Sequence, residues 1–590
     1  MSRKHAIQQV TSAVGRFVFL SLLFGIAYTQ APIYRSAGNQ NTKFLHGLAQ
    51  AGHGFLHEDW LANTLNPLPV FSALVQWTYQ SLHPEYLFYV YHWLIFGLYL
   101  YSAFGITNYF YFIRQSRLKY WVYLAAFVFV HTVHIELFEF DTAWHLHAGT
   151  AGQYILDMEF QPASFGVFIL LSIWLFLYRR SLWAVGCLAV AVTVHPTYLL
   201  SAAVLTMGYA IATLIEPQHL SAAESKKLKV RSKKSETQNS KLKISPAETL
   251  REQNSKLSWL LSSRNVQFSR QASIRQKLKQ AIAICLLAFV LILPVFSYMY
   301  TTFDATSPEV WSRAKYIIAH LRIPHHSIPK VWLADGTAYV QALVVAVAVY
   351  LVRGTRLFGV MLIAFAIALT LTTAQILLDS NTLAFIAPWR LSVFLVPIST
   401  YLILGAILDW GFQQVRRFPT AKLSQCLRQH RSWIKALSFA TLTALFVVGL
   451  WNQIGLWRAQ DDTIPMMNFV RQTKQSGQVY LVPPDPRNLR KFRLYTGAPI
   501  FINHKSHPYK DSEVLEWYQR LERARAFYQA DKNEAGATGE SSCQQLQELV
   551  SQYRITHVVL ESKPSNPFCT GLDERYQDDR YQVYRIDNQN

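Results

Sequence analysis

The chain has 590 residues, of which 51% are hydrophobic and 14% aromatic but only 15% charged, and long apolar runs recur from Phe17 to Leu450. That is the profile of a polytopic membrane protein. The formal net charge of +21 is segregated: Ser221 to Gln280 holds 15 Lys and Arg against 4 Glu, a net of +11, whereas Asp461 to Asn590 cancels to zero. Such segregation fits Lys and Arg kept on the cytoplasmic side of a membrane, and the basic segment lacks the aromatic interleaving that stacks bases, so no nucleic-acid partner is expected.

The first run, Phe17 to Tyr28, follows Arg3, Lys4 and Arg16 with no convincing small-residue cleavage site after it, and reads as an uncleaved signal anchor. Next comes Phe55-Leu56-His57-Glu58-Asp59-Trp60-Leu61-Ala62-Asn63, an adjacent acidic pair between apolar and aromatic residues at a membrane boundary. Carboxylates beside a bilayer are costly and tend to be functional, which makes Glu58 and Asp59 candidate catalytic bases. The competing account is an interfacial turn whose acids cap a helix starting near Asn63 or Thr64. Pro67 to Leu82 reads as a membrane-associated helix.

Further spans are expected at Tyr86 to Thr107, Trp121 to Ile135, Phe165 to Tyr178, Leu182 to His195, Tyr198 to Leu214, Ile282 to Phe296, Val340 to Val352, Leu357 to Leu378, Leu391 to Leu408 and Ile434 to Leu450. With the first run this makes about eleven spans. Loops carrying Arg114, Arg117 and Lys119, then Arg179 and Arg180, then the basic insert, then Arg353 and Arg356, then Arg416 and Arg417 all fall on one side under this count. The N-terminus is therefore expected inside and the C-terminal region outside.

The second external loop is acidic and rich in imidazole: His131, His134, Glu136, Glu139, Asp141, His145, His147, Asp157 and Glu159. Asp141, His145 and His147 are candidate ligands for a divalent cation, with carboxylates suiting magnesium or manganese. No zinc signature such as His-Glu-x-x-His is present, and solvated headgroup-level side chains are the alternative. His195-Pro196 ends a span on the same side and could line the same cavity. The insert repeats Gln238-Asn239-Ser240-Lys241-Leu242 as Gln253-Asn254-Ser255-Lys256-Leu257 and reads as a flexible cytoplasmic loop. Pro388-Trp389-Arg390 opens a later span from outside, where an Arg fork suits a phosphate, or Trp and Arg simply anchor the interface.

After Leu450 the periodicity changes. Strands are expected at Val479 to Val482, Tyr495 to Ile502, Thr556 to Glu561 and Tyr581 to Ile586, with helices at Glu513 to Ala530 and Gln544 to Tyr553. The expected fold is thus a polytopic α-helical membrane protein with a small extracytoplasmic α/β domain: membrane helices over 1–216, the insert over 217–280, membrane helices over 281–455 and the α/β domain over 456–590. Within that domain Phe492 to Gly497, Asn503-His504-Lys505 and Glu516 to Arg520 form a basic and aromatic cluster, in which Arg493, Lys505 and Trp517, together with His195, are candidates for binding a sugar or an anionic acceptor. Domain surface is the other reading. Cys543 and Cys569 could pair if the region is outside. There is no dinucleotide fingerprint, Walker motif or Ser/His/Asp order.

The layout resembles the C-type (GT-C) polytopic membrane glycosyltransferase superfamily, and Asn41-Thr42-Lys43-Phe44-Leu45-His46-Gly47 through Glu58-Asp59-Trp60 to Pro67, with His195-Pro196 and Phe492 to Arg520, looks like an uncharacterised bacterial branch of it. The resemblance implies transfer of a sugar from a polyprenyl-phosphate donor to an acceptor outside the bacterial inner membrane, in contact with membrane lipids. It carries the general base onto Asp59, or Glu58 in another register, and the second-loop acid onto Asp141 or Asp157, with Glu159 beside it. The acceptor motif of the oligosaccharyltransferases is absent. Two other classes are weighed against an enzyme: a transport or export protein for polysaccharide or lipid carrier, though the inverted repeats and broken helices of transporters are not visible, and a membrane-anchored ligand-binding scaffold.

Overall fold

The computed structural model describes residues 38–82, 86–132, 148–215, 248–334, 336–417, 429–459, 461–533, 540–561 and 571–587, with single positions 15, 19 and 569. The first expected span, Phe17 to Tyr28, falls almost wholly outside them, as do Glu136, Glu139, Asp141, His145 and His147.

Among the described residues six helices are long and apolar enough to cross a membrane: Tyr86–Tyr111, Pro196–Ile215, Ile274–Thr302, Arg356–Leu378, Asn381–Val415 and Arg431–Arg458. Three further apolar helices, Pro162–Leu177, Ser181–Val194 and Thr337–Leu351, are shorter. A 14-residue helix such as Ser181–Val194 rises only about 21 Å against a hydrocarbon core of about 30 Å, which sets these three apart from the six longer helices. The outer helices turn apolar side chains outward: Leu286, Phe289 and Val290 on one, Leu437, Phe439, Val447 and Val448 on another. A surface of that composition suits hydrocarbon rather than water.

The insert departs from expectation. A single helix, Glu248–Thr302, runs from its second half into the membrane stretch, and no Gly or Pro interrupts residues 248–293, so Leu-, Lys-, Gln- and Glu-rich sequence simply propagates helix. Pro69–Leu82 is a 14-residue helix that buries Phe71 and Val75 while Val70 and Trp77 stay exposed, as an interfacial helix should.

Four phenylalanines from separate segments draw the first-loop and second-loop segments together. Phe44 packs against Phe71, Phe88 and Phe160 with ring centroids 5.6, 5.0 and 6.4 Å away. Their contact holds the Gln40–Lys43 turn beside the second-loop segment that carries Asp157 and Glu159.

The C-terminal region folds around a four-stranded sheet, β1 (Tyr480–Leu481), β2 (His557–Glu561), β3 (Leu572–Gln577) and β4 (Tyr581–Ile586), in the order β1-β2-β4-β3. β1 and β2 are parallel and the other pairs antiparallel, with a bulge between Glu574 and Tyr576. Helices Asp511–Asn533 and Glu540–Gln552 cover it, and Cys543 is bonded to Cys569. The strand expected at Tyr495 to Ile502 is instead the helix Phe492–Thr496, ended by left-handed Gly497, followed by one bridge between Tyr480 and Ile500. Gly497 and Pro499 interrupt what alternation suggested was a continuous strand. β3 went unexpected because its Asp573, Glu574 and Arg575 face solvent and leave no apolar alternation.

Candidate functional site

The acidic pair of the first loop is placed by two short turns, Leu56–Glu58 and Leu61–Asn63, with Asp59 extended between them. Asp59 Oδ1 accepts the Leu61 N–H at 2.9 Å. Its Oδ2 accepts the Arg493 Nε–H at 2.8 Å and the Ile500 N–H at 3.0 Å. Both side chains are closed off, Asp59 at 0% and Arg493 at 1% exposure. Neighbouring contacts serve the same junction: Glu58 accepts from Ser476 Oγ at 2.6 Å and Gly477 N at 2.7 Å, and the Arg520 guanidinium lies 4.3 Å from the Trp60 ring. Gly54 and Gly497 meet so closely that a Cβ on Gly54 would stand 2.3 Å from the Gly497 carbonyl oxygen, and Phe55 N–H donates to that oxygen at 2.8 Å. Glu58, Asp59 and Arg493 therefore join the first loop to the C-terminal domain. A buried carboxylate held by three donors acts as a structural partner at this junction.

A different set of side chains converges beside that junction. Lys43 Nζ donates to Tyr509 Oη at 2.5 Å. Arg390, in a turn entered through left-handed Ala387, donates from Nε to Gln153 Oε1 at 3.1 Å. Arg322 is buried; it donates to the Lys505 carbonyl at 2.5 Å while its Nε finds no partner. Imidazoles fill the spaces. His326 donates from Nδ1 to the Ala151 carbonyl at 2.6 Å, and its own carbonyl accepts Trp389 Nε1–H at 2.9 Å. His195 contacts Thr197 Oγ1 at 3.0 Å and feels the charges of Lys43 and Arg390. His507 feels Arg322, Lys43 and Lys505.

Two acids border this group. Asp157 accepts the Met158 N–H at 2.7 Å and a Gln161 Nε2–H at 3.2 Å, and Glu159 accepts the Gln40 N–H at 3.3 Å. Burial, reinforced by the Asp157 charge, pushes the Glu159 carboxyl up to about 7. Burial, followed by repulsion from Arg322 and Arg490, pulls the Lys505 ammonium down to about 8. Burial alone would raise the Tyr509 hydroxyl, but Lys43, Arg322 and Arg390 bring it below its ordinary value. The local field is strongly positive. A small cavity next to it is lined by Lys43, His507 and Tyr509 and also by Leu65, Asn66 and Leu68.

Of the residues expected from sequence, Arg390, His195, Lys505, Asp157 and Glu159 come together here. Arg493 belongs to the Asp59 junction. Trp517 is buried in the domain core and donates from Nε1 to the Asn503 carbonyl at 3.1 Å, steadying the turn that presents Lys505. Asp141, His145 and His147 lie outside the described residues, and among the described residues no group of three metal-ligating side chains occurs. Sequence reasoning missed Arg322, His325, His326, His507 and Tyr509 and gave Lys43 no role. The available signal was cations and imidazoles flanking prolines, in Arg322-Ile323-Pro324-His325-His326 and His507-Pro508-Tyr509.

A family model described as a domain of unknown function (DUF6798) matches residues 461–524, the segment that supplies Arg493, Lys505, His507 and Tyr509. No curated protein matches the chain.

Proposed function

We propose that the protein transfers a sugar from a polyprenyl-phosphate-linked donor to an acceptor at the extracytoplasmic face of a bacterial inner membrane, with about eleven spans, a cytoplasmic N-terminus and the C-terminal domain outside. One observation carries the reading: Lys43, Arg322, Arg390 and Lys505, from four separate segments, converge without an ion pair to any described carboxylate. Partly buried cations that outnumber the acids beside them favour an anion. The adjoining cavity includes Leu65, Pro67 and Leu68 in its lining, and the helix that follows exposes Val70 and Trp77, which suits a phosphate carrying a hydrocarbon tail.

Glu159 is the proposed general base, with Asp157 as its neighbour. The acceptor hydroxyl oxygen bonds to the anomeric carbon and its proton passes to the Glu159 carboxylate. The bond from that carbon to the phosphate oxygen breaks, and the electron pair leaves on the phosphate, where Arg390, Lys43 and Lys505 stabilise it. A base near neutrality combines adequate ionised fraction with adequate basicity. If a magnesium or manganese ion binds, it would add charge stabilisation of the leaving phosphate.

The test is transfer of radiolabelled sugar from lipid extract in membrane vesicles. Glu159→Gln should lower the rate by about 10²- to 10⁴-fold at unchanged protein level. Full activity in that variant removes Glu159 as base. Binding of polyprenyl phosphate with no transfer to any acceptor would favour a carrier-translocation or scaffold role instead.

A further inference from the structure

A second concentration of positive charge lies at the end of the bundle away from Glu159 and His195. Helix Val167–Leu177 leads away from Glu159 and helix Ser181–Val194 returns to His195, so the turn between them, Tyr178 to Arg180, stands about 20 Å from those residues. Two hydrogen bonds fix what flanks this turn. Arg356 Nη1 donates to the Phe176 carbonyl at 2.9 Å, with its guanidinium 4.2 Å from the centre of the Phe176 ring, and Gln280 Nε2 donates to Ser181 Oγ at 3.4 Å. Three segments therefore meet here. They bring Arg179, Arg180, Lys279, Arg353 and Arg356 to one end of the bundle, and all but Arg356 are exposed. Residues 160–215, 274–303 and 336–378, which contain these cations, have no Asp or Glu. The backbone at Arg179 is left-handed, with φ 61°, and it closes the helix: Arg179 N–H donates to the Phe176 carbonyl at 3.0 Å and Arg180 N–H to the Leu175 carbonyl at 2.9 Å. Glycine fills such a capping position without strain. Sidedness can be set by Lys and Arg anywhere in a short loop, and does not require an arginine at a left-handed position beside two further helices.

Apolar surface begins where the charge ends. Leu182 and Trp183 on one helix and Leu278 and Ile282 on another are exposed, the two helices pack together, and a Cβ at Gly186 would meet nothing within 4 Å. Exposed Tyr178 and Tyr350 mark the boundary, the second with the Arg353 guanidinium 3.9 Å from its ring centre. Exposed cations with bare hydrocarbon side chains beside them match an amphiphile of opposite charge. We propose that this end of the bundle holds an anionic phospholipid, its headgroup phosphate facing Arg179, Arg180 and Arg353 and its acyl chains along helices Ser181–Val194 and Ile274–Thr302. A zwitterionic lipid carries its own cation and gains less from these guanidinium groups. The lipid touches segments that meet only in the folded bundle, so its binding stabilises the fold.

The experiment is lipid binding by the full-length protein in detergent, read by native mass spectrometry and by the unfolding midpoint, with dioleoylphosphatidylglycerol, dioleoylphosphatidylcholine, glycerol 3-phosphate and inorganic phosphate as probes. Phosphatidylglycerol should bind on the order of tenfold more tightly than phosphatidylcholine, raise the unfolding midpoint, and lose its advantage at high salt. Arg179→Gly isolates the side chain, because glycine keeps the left-handed cap. Without lipid its unfolding midpoint should stay close to that of the parent, while the preference for phosphatidylglycerol falls severalfold. Arg180→Gln combined with Arg353→Gln serves as a second variant should the first fail to fold. Equal affinity for the two phospholipids overturns the proposal. A preference that survives both variants overturns the placement at this turn, and a lowered midpoint with unchanged preference makes Arg179 a helix cap only. Glycerol 3-phosphate or inorganic phosphate competing as well as phosphatidylglycerol overturns the lipid in favour of a soluble phosphate.

Discussion

Arg493 Nε approaches Asp59 Oδ2 to 2.8 Å in a contact closed to solvent. The two residues are 434 positions apart, so this pair is one of the contacts that bond the first loop to the start of the C-terminal domain. Asp59→Asn keeps the shape and removes the charge, leaving a buried guanidinium uncompensated, which costs about 3–5 kcal/mol. The expected outcome is a lower unfolding midpoint and less folded protein, with sugar transfer falling in proportion to the folded fraction. A double variant, Asp59→Leu with Arg493→Met, should recover much of the loss, since replacing both partners with apolar groups of similar volume is often close to neutral. Normal folding with abolished transfer in Asp59→Asn would return Asp59 to the role of base.

The pH dependence follows from two groups shifted toward each other. Glu159, held at about 7, must be ionised to accept a proton, so kcat/KM should fall as pH drops below that value. Lys505, held at about 8, must be protonated to attract phosphate, so kcat/KM should fall again above it. The profile should be a narrow bell. Lys505→Arg provides the check, because a guanidinium stays charged and the alkaline limb should move upward while the acid limb stays. An unmoved alkaline limb would assign it to another group.

The apolar periodicity made the helical membrane character legible, because long runs such as Arg356–Leu378 and Ile274–Thr302 signal themselves by length alone. Span number was less legible: Ser181–Val194 and Thr337–Leu351 are apolar enough to resemble spans but too short to be counted without knowing their neighbours. At the site, Arg390 and Lys505 could be picked out by charge and position. Asp59 drew attention by its setting, yet its partner lies more than 400 residues away, and local sequence holds no record of that pairing. Lys43, Arg322 and Tyr509 were hidden for the same reason: each is unremarkable in its own segment and becomes informative only where the segments cross.

The bond between Cys543 and Cys569, with Cα atoms 5.2 Å apart and a sequence separation of 26, ties helix Glu540–Gln552 to the approach of β3. Closing a loop of that length stabilises by about 3 kcal/mol. Cys543→Ser should therefore lower the unfolding midpoint of the C-terminal region and increase its proteolysis. The membrane helices, whose described cysteines Cys187 and Cys285 are unpaired, should be unaffected. Protection of Cys543 from alkylation in intact cells, lost on reduction, checks the bond itself.

The same disulfide makes the sidedness of the chain testable, because such bonds persist in oxidising compartments. If the C-terminal domain lies outside, the basic segment from Ser221 to Ala247 must lie inside, since the charge asymmetry between them, +11 over Ser221 to Gln280 against zero over Asp461 to Asn590, is what orients neighbouring helices. An alkaline phosphatase fused at Asn590 should then be active, and one inserted at Ser235 inactive. Sites on either side of Glu248–Thr302 give a sharper version: a cysteine at Ser235 should react with an impermeant maleimide only in permeabilised cells, and one at Ser307 in intact cells. Reaction of both in intact cells would mean that this helix does not cross, and would move Lys43, Arg322 and the cavity beside them away from the compartment assigned to the donor.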